Sequence, residues 1–267
     1  MNKPTHHKAT VFQQVIGVVP MAGRAARLDG LACSKEIYPI GSRATDDAGQ
    51  HQGVVCEHLL RKMRTAGVSS IYVILREGKW DIPAYLGDGS KAGLQLAYLM
   101  MGLPYGTPYS VDQAFPFVRQ ATVALGFPDM LFGPEDIFTT ILEHQHASGA
   151  DVVLGLFPAD RPEKVDMVEL DDDGNVRQII IKARHTDLRY TWGVAVWAPT
   201  FTDFMHEFLT LHQKTAGVKT ELFVGDVVQA AIKNGLRVHG VQVSKQPFLD
   251  IGTWDDLSKA TSLPLDK

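Results

Sequence analysis

The apolar run at residues 15–19 and the loop that follows it constrain the fold more than any other feature. Valine and isoleucine dominate the run, which predicts a strand buried on both faces, as in a parallel sheet. Residues 20–27 (Pro-Met-Ala-Gly-Arg-Ala-Ala-Arg) then break the pattern with small side chains and two arginines. A buried strand that ends in a small-residue loop is a typical layout for a ligand-binding site.

Further along the chain, strand patterns alternate with helix patterns. Strands are predicted at residues 70–75, 94–100, 121–126, 151–157, 192–197 and 237–243, and helices at 55–63, 107–117, 134–148, 201–212 and 221–234, with a last helix from Trp254. A turn cluster at residues 171–175 predicts a hairpin between 166–170 and 175–182. The alternation predicts an α/β fold whose sheet is parallel or mostly parallel and covered by helices.

Composition limits the domain count and the classes of partner. No repeat or linker divides the chain, so we predict a disordered tail at residues 1–10 and a single domain at 11–267. The net charge of −4 argues against a nucleic-acid partner, which would require a basic surface. Two cysteines without a CxxC pair and the lack of a long apolar run predict a cytoplasmic protein with no membrane partner.

The loop after the first predicted strand could bind phosphate. Arg24 and Arg27 stand among small residues that let backbone N–H groups approach phosphate oxygens, and Lys35 follows shortly. Taken alone the loop is weak evidence, because an arginine in a loop is usually a solvated charge. The P-loop pattern GxxxxGK[ST] is absent, and GxGxxG does not follow the first predicted strand.

Five elements, in order, resemble one enzyme family. Residues 20–28 and 34–40 (Ser-Lys-Glu-Ile-Tyr-Pro-Ile) are similar to the opening of the sugar-1-phosphate nucleotidyltransferases, GxGTR[LM] followed by a lysine shortly before a proline. Residues 86–98 resemble the LGDGSxxGxxxxY element of the thymidylyl- and uridylyltransferases. Residues 129–132 (Asp-Met-Leu-Phe) and 250–253 (Asp-Ile-Gly-Thr) correspond to the family's Asp-Asn-Leu-Phe and Asp-x-Gly-Thr elements. The chain is identified as a divergent member, which implies a three-layer, Rossmann-like α/β fold with a mixed, mostly parallel sheet.

The resemblance implies a role for each matching residue. Arg27 and Lys35 would be catalytic, stabilising charge at the α-phosphorus of an NTP, and Asp129 and Asp250 would hold Mg²⁺. Nucleotide contacts are implied for Ala22, Gly23, Arg24, Met101 and Gly106, and contacts with the sugar phosphate for Lys182 and Gly193. Two loop carboxylates after neighbouring strands could also be expected to share a magnesium ion on chemical grounds, although a lone loop aspartate is more often a turn or a cap.

Several positions depart from the family pattern. Ile181 stands where the family has Glu, Met101 where the thymidylyl enzymes have Gln, and Ala25 and Ala26 replace Gly and Thr. We therefore predict NMP transfer from an NTP, dTTP or UTP first, to a sugar-1-phosphate or a related phosphorylated acceptor, with homo-oligomer formation left open. The alternatives are a catalytically silent regulator that binds a sugar nucleotide and a glycosyltransferase. The residues after Asp129 disfavour the latter because they form no DxD metal site.

Overall fold

The structure is a computed structural model that describes residues 14–40, 43–44, 50–51, 53–102, 106–183, 185–216 and 221–262. The tail predicted at residues 1–10 lies outside these ranges. The longest helix within these ranges has 18 residues, and none of the helices described is long and apolar enough to cross a membrane.

Strands and helices alternate along the described chain. The strands are β1 (Val15–Pro20), β2 (Arg43–Ala44), β3 (Gln50–His51), β4 (Ser70–Arg76), β5 (Gln95–Met101), β6 (Thr122–Gly126), β7 (Met130–Leu131), β8 (Val152–Pro158), β9 (Asp166–Leu170), β10 (Val176–Ile181), β11 (Tyr190–Trp197), β12 (Val238–Gln242) and β13 (Leu249–Asp250). The helices are α1 (Val55–Thr65), α2 (Asp81–Leu86), α3 (Thr107–Asp112), α4 (Phe115–Val118), α5 (Ile137–Ser148), α6 (Pro199–Ala216), α7 (Val224–Lys233) and α8 (Trp254–Ser262).

A nine-stranded mixed sheet organises the described residues. Its main path runs β10-β9-β11-β6-β1-β4-β5, with β8 paired to β11 and β12 paired to β8. The pairs β1–β4, β1–β6, β4–β5 and β8–β12 are parallel, whereas β11 is antiparallel to β6, β8 and β9, and β10 is antiparallel to β9. Within this sheet, all strands except β10 and β11 therefore run in the same direction, which confirms the prediction of a mixed, mostly parallel sheet.

Helices cover both faces of the sheet, as the two-sided burial of β1 requires. Ile16 and Val18 pack into a core cluster with residues of α3, α4, α6 and α7. Val19 joins a second cluster with residues of α1 and α5. This arrangement confirms the three-layer α/β prediction. The parallel strands β1, β4, β5 and β6 all end at the same edge of the sheet, so the loops that follow them meet there.

The predicted elements are present with small differences. The hairpin of β9 and β10 is antiparallel, and its turn has Gly174 at φ 81°. The predicted helix at residues 107–117 is wrong in one respect: it is divided into α3 and α4. The patterns did not predict α2, which has six residues including Pro83, or the two-residue strands β7 and β13. Elements this short leave too few positions for a periodicity to be visible.

Candidate functional site

The loop after β1 is tied to the end of β4. The Met21 N–H donates to the Ile74 carbonyl at 2.8 Å, and the Arg76 Nε donates to the Ala22 carbonyl at 3.1 Å. Ala25 then adopts the left-handed conformation, φ 50° and ψ 32°, at the start of a short 3₁₀ turn over Ala26–Leu28. A side chain with a Cβ is strained in this region, so the loop keeps the backbone shape that a glycine would adopt freely.

A small apolar cluster below the loop brings three segments together. Leu28, Leu131 and Ile251 are 3%, 5% and 0% exposed and pack in one cluster with residues of α8. Each neighbours a polar candidate along the chain: Leu28 follows Arg27, and Ile251 follows Asp250. Leu131 lies two residues after Asp129. Burial of the apolar members therefore positions the charged ones, which remain at the surface of the cluster.

Asp129 and Asp250 are brought together by β7 and β13. The two strands pair antiparallel, with Asp250 opposite Met130, and the Ile251 N–H donates to the Asp129 carbonyl at 2.9 Å. Burial and the charge of Asp129 raise the pKa of Asp250 to about 6, although Lys35 and Arg27 oppose the shift. Because two neighbouring carboxylates repel each other, a cation bound between them is favoured. No group of three or more His, Cys, Asp or Glu side chains suited to a metal occurs among the described residues.

Lys35 lies beside the same two aspartates. Its ammonium forms an ion pair with Asp129 and donates to the Ile251 carbonyl at 3.3 Å. Burial disfavours the charged amine, but the carboxylates of Asp129, Glu36 and Asp250 together outweigh this effect, and the pKa of Lys35 is raised. Lys35 is therefore a cation at neutral pH, held where it can meet a second anion.

Arg27 packs against the backbone of the loop after β13. A Cβ placed on Gly252 would lie 2.8 Å from the Nη2 of Arg27, so only glycine admits the guanidinium in this position. The guanidinium charge also favours the ionised form of Asp250. The glycine of the Asp-Ile-Gly-Thr element thus has a physical reason: it lets a cation approach the metal-binding candidates.

A buried ion pair supports the turn that carries Lys35, and the sequence patterns did not reveal it. Glu36 and Lys79 are 1% and 4% exposed, and the lysine Nζ lies 2.8 and 2.6 Å from the two carboxylate oxygens. Ser34, one residue before Lys35, donates its N–H and its hydroxyl to Asp81 at 2.6 and 2.8 Å. Glu36 belongs to the Lys-Glu-x-x-Pro element, whereas no local pattern marks Lys79 or Asp81.

A cavity of about 460 Å³ opens above these groups. Its lining contains the predicted nucleotide residues Ala22, Gly23, Arg24 and Gly106 together with Lys35 and Asp129. Gly106 has φ 120°, and a Cβ there would lie 2.3 Å from the Leu222 carbonyl oxygen. A second cavity of about 560 Å³ lies on the other side of the loop and is also lined by Arg24 and Lys35. The loop residues and Asp129 therefore face shared space.

Met101 does not line either of these cavities. It is 8% exposed in the first core cluster, and its sulfur accepts a hydrogen bond from the Ser110 hydroxyl at 3.1 Å. Ser110 does line the 460 Å³ cavity. Met101 was predicted to contact the nucleotide directly. In the structure its apolar thioether packs into the core, and Ser110 lies between it and the cavity.

The two residues predicted to contact the sugar phosphate lie on neighbouring segments: Lys182 directly follows β10, and Gly193 lies within β11. Lys182 adopts φ 47°, and its Nζ lies 4.0 Å from the centroid of the Phe223 ring. Gly193 occupies the shift in register between β11 and β8, and a Cβ there would lie 3.1 Å from Phe157 and 3.2 Å from Phe248. Close packing against Phe157 and Phe248 therefore favours glycine at 193, and its contact with a sugar stays a prediction.

Comparison with known proteins points to one family. The family model described as "Nucleotidyl transferase" matches residues 39–267. The low-salt glycan biosynthesis nucleotidyltransferase Agl11 of Haloferax volcanii is 24% identical over 94% of the chain and 66% of its own length. A glucose-1-phosphate thymidylyltransferase of Mycolicibacterium smegmatis is 25% identical over 92% of the chain and 80% of its own length.

A solved structure shares the fold. The crystal structure of a Bacillus anthracis protein assigned as a glucose-1-phosphate thymidylyltransferase, in complex with a sucrose, superimposes with a TM-score of 0.80. The match covers 95% of this chain and 96% of the other at 18% sequence identity. The arrangement of layers described above therefore recurs in a protein with a very different sequence.

Proposed function

The chain belongs to the nucleotidyl transferase family, and we propose that it transfers a nucleoside monophosphate from dTTP or UTP to a sugar-1-phosphate or a related phosphorylated acceptor, releasing pyrophosphate. One observation carries the proposal. Lys35, Asp129, Asp250 and Arg27 come from three distant segments and meet beside the 460 Å³ cavity that the loop after β1 also lines.

The chemistry requires two anions to approach each other in line. Repulsion between the triphosphate and the acceptor phosphate limits the rate, and positioned cations lower this barrier. Lys35 is held as a cation by Asp129, and Arg27 is held against Gly252. Both cations stabilise the negative charge that builds up on the phosphate oxygens while the acceptor oxygen attacks the α-phosphorus and pyrophosphate leaves.

Asp129 and Asp250 fit a magnesium ion. Carboxylate oxygens are the hard ligands that Mg²⁺ prefers, and it usually takes one or two from the protein while phosphates and waters supply the rest. Burial and the charge of Asp129 raise the pKa of Asp250, and a cation bound beside the two carboxylates would offset both effects. When bound, the ion would neutralise charge on the phosphates.

The nucleotide and the acceptor would occupy different ends of the site. Ala22, Gly23 and Arg24 offer backbone N–H groups and a cation to the triphosphate, and Gly106 faces the same cavity, where its backbone could read the base. Met101 would influence the base only through Ser110. Lys182 is the cation for the acceptor phosphate; it lies over the Phe223 ring and is not among the residues that line this cavity.

A substrate screen tests the proposal. Each NTP is combined with a panel of sugar-1-phosphates, related phosphates and phosphonates in the presence of Mg²⁺, and pyrophosphate release is measured. We expect turnover with at least one pair and none without the divalent ion. Binding of NDP-sugars without turnover of any pair would contradict the proposal and favour a catalytically silent regulator.

A further inference from the structure

Three side chains stand in a row across β11, β9 and β10. Asp166 pairs directly with Ile181 in the antiparallel register of β9 and β10. On the other side, Tyr190 pairs with Val168 and Thr191 with Met167, so the next position of this register places Trp192 beside Asp166. Residues directly opposite each other in antiparallel strands project from the same face. The row therefore presents Trp192, Asp166 and Ile181 on one face of the sheet.

The start of α7 packs onto this row through a glycine. A Cβ placed on Gly225 would lie 2.5 Å from the Oδ2 of Asp166 and 2.8 Å from the Cδ1 of Ile181. The carboxylate of Asp166 and the side chain of Ile181 thus reach the same point. A carboxylate missing from position 181 is present one strand away, on the same face.

The carboxylate of Asp166 has unmet hydrogen-bonding capacity. Burial and the charge of Asp226 raise its pKa to about 6, while Trp192 and Lys182 favour the charged form. Asp226 is engaged elsewhere, since its Oδ2 accepts the Phe223 N–H at 2.9 Å. The Trp192 side chain is the hydrogen-bonding partner that favours the charged form of Asp166, and an ionised carboxylate has about four acceptor sites, so one donor leaves most of them unused. Asp166 therefore lies next to Lys182 with its acceptor oxygens available.

A buried donor lies beside this acceptor. Trp192 is 6% exposed, and its indole N–H lies within reach of Asp166 without completing a hydrogen bond of normal geometry in the described part of the chain. Leaving a buried N–H unsatisfied costs roughly 1–3 kcal/mol, so a protein rarely keeps one without a partner. The ring centroid of Trp192 is 5.8 Å from that of Phe127, and Phe127 lines the 460 Å³ cavity beside Asp129.

We infer that Asp166 and Trp192 bind a hydroxyl group of the acceptor substrate, beside the phosphate that Lys182 binds. A hydroxyl both donates and accepts, so it can satisfy the carboxylate of Asp166 and the indole N–H of Trp192 together. An ammonium group cannot accept from the indole, and a methylene group can satisfy neither. The inference rests on the proposed function and specifies its acceptor class: a phosphorylated polyol or sugar with a free hydroxyl near the phosphate.

A structural role for Asp166 makes a different prediction. Its carboxylate also lies at the amino-terminal end of α7, where a negative charge stabilises a helix. If this were its whole role, removing the carboxylate would lower the melting temperature and leave substrate affinities unchanged. The KM for the acceptor therefore distinguishes a structural role of Asp166 from a role in substrate binding.

The experiment compares Asp166→Ala, Asp166→Asn and Trp192→Phe with wild type, using the NTP and acceptor pair that the substrate screen identifies. We expect Asp166→Ala to raise the KM for the acceptor by roughly 10- to 100-fold and to leave the KM for the NTP unchanged. Asp166→Asn, which keeps one acceptor oxygen, should raise the KM for the acceptor by a smaller factor. Asp172→Asn, at the exposed turn of the same hairpin, is the matched control and should behave as wild type.

A rescue variant and an altered acceptor provide two further tests of the inference. Adding Ile181→Glu to Asp166→Ala restores a carboxylate on the same face and should recover part of the acceptor affinity. A deoxy acceptor, which has hydrogen in place of the hydroxyl, should bind wild type less tightly than the full acceptor does, and this difference should shrink in Asp166→Ala and in Trp192→Phe. Unchanged acceptor KM in folded Asp166→Ala and Asp166→Asn, with turnover intact, would overturn this inference alone. Absence of turnover by wild type with every pair would instead overturn the proposed function and this inference together.

Discussion

The ammonium of Lys35 donates to the carboxylate of Asp129, which lies 94 residues away along the chain. The pair joins the turn after the first loop to the loop after β6, and Asp250 adds a second carboxylate from the far end of the chain. Lys35 forms its ion pair with Asp129, and burial and the charge of Asp129 keep the pKa of Asp250 raised despite Lys35 and Arg27, so the site can accept further positive charge. A bound metal ion and the phosphates of a nucleotide would complete this arrangement.

Replacing either aspartate should stop turnover without unfolding the chain. Asp129→Asn and Asp250→Asn each keep the shape of the side chain but remove one charge proposed to hold Mg²⁺. Pyrophosphate release should fall by at least about 100-fold, and the circular dichroism spectrum should not change. Asp255→Asn, at an exposed position of α8, is the control. Normal pyrophosphate release by both site variants would exclude the metal assignment.

The stability of the chain should depend on the charge of Asp250. Folding raises the pKa of this carboxyl from 3.8 to about 6, so the folded chain binds more protons than the unfolded chain between these values. Stability from this group therefore falls as the pH rises through the window. Without divalent ions, Asp250→Asn should melt higher than wild type at pH 7.5, and the difference should vanish near about pH 4.

The same melting experiment also detects the metal. Mg²⁺ should raise the melting temperature of wild type and of Asp255→Asn but not that of Asp250→Asn, because ligand binding to the folded state stabilises it. An equal Mg²⁺ effect on all three proteins would mean that the ion binds elsewhere.

The loop after β1 should be stabilised by restoring a glycine. Ala25 has φ 50°, which costs an alanine about 1–2 kcal/mol relative to glycine, while glycine adds unfolded-state entropy worth roughly 0.4–1 kcal/mol. Ala25→Gly should therefore raise the free energy of unfolding by up to about 1 kcal/mol. Ala26→Gly, inside the 3₁₀ turn, should lower it. Urea titrations compare the two, and equal destabilisation would argue against the left-handed conformation.

Filling the space over Gly252 should displace Arg27. The Cβ of Gly252→Ala would lie 2.8 Å from the end of a flexible side chain, so the guanidinium can move while the backbone stays. We expect kcat/KM for the NTP to fall roughly 10-fold or more with the melting temperature preserved. Gly102→Ala, where a Cβ would meet nothing within 4 Å, is the control. If Gly252→Ala acts through Arg27, it should add little to Arg27→Ala.

Breaking the buried Glu36–Lys79 pair should destabilise the fold. Glu36→Gln removes the carboxylate charge that the ammonium of Lys79, which is 4% exposed, contacts directly, and such changes cost about 3–5 kcal/mol. Asp203→Asn breaks the Arg119–Asp203 pair, whose side chains are 61% and 44% exposed, and should cost less than about 1 kcal/mol. Chemical denaturation measures both, and similar values for the two variants would contradict a supporting role for the buried pair.

Much of the fold and part of the site follow from local patterns. The apolar run of β1, the alternation of strands and helices and the turn at residues 171–175 are visible because burial imposes a period on neighbouring residues. The order of five short motifs singled out Lys35, Asp129 and Asp250 before any distance was known. Met101 shows what a motif position leaves out: its place in the chain predicts a nucleotide contact, and only the structure reveals that its thioether packs in the core beside Ser110.

The amino-acid sequence was sufficient to predict the class of fold, the family and the cations and carboxylates available for chemistry. Which of these groups meet became visible in the folded chain. The approach of Arg27 to Gly252, the burial of Glu36 with Lys79 and the row of Trp192, Asp166 and Ile181 depend on strand register and on the packing of segments far apart in the chain. Such contacts leave no local period, because the partners share neither a helix turn nor a strand, and close packing of the whole core sets their distances.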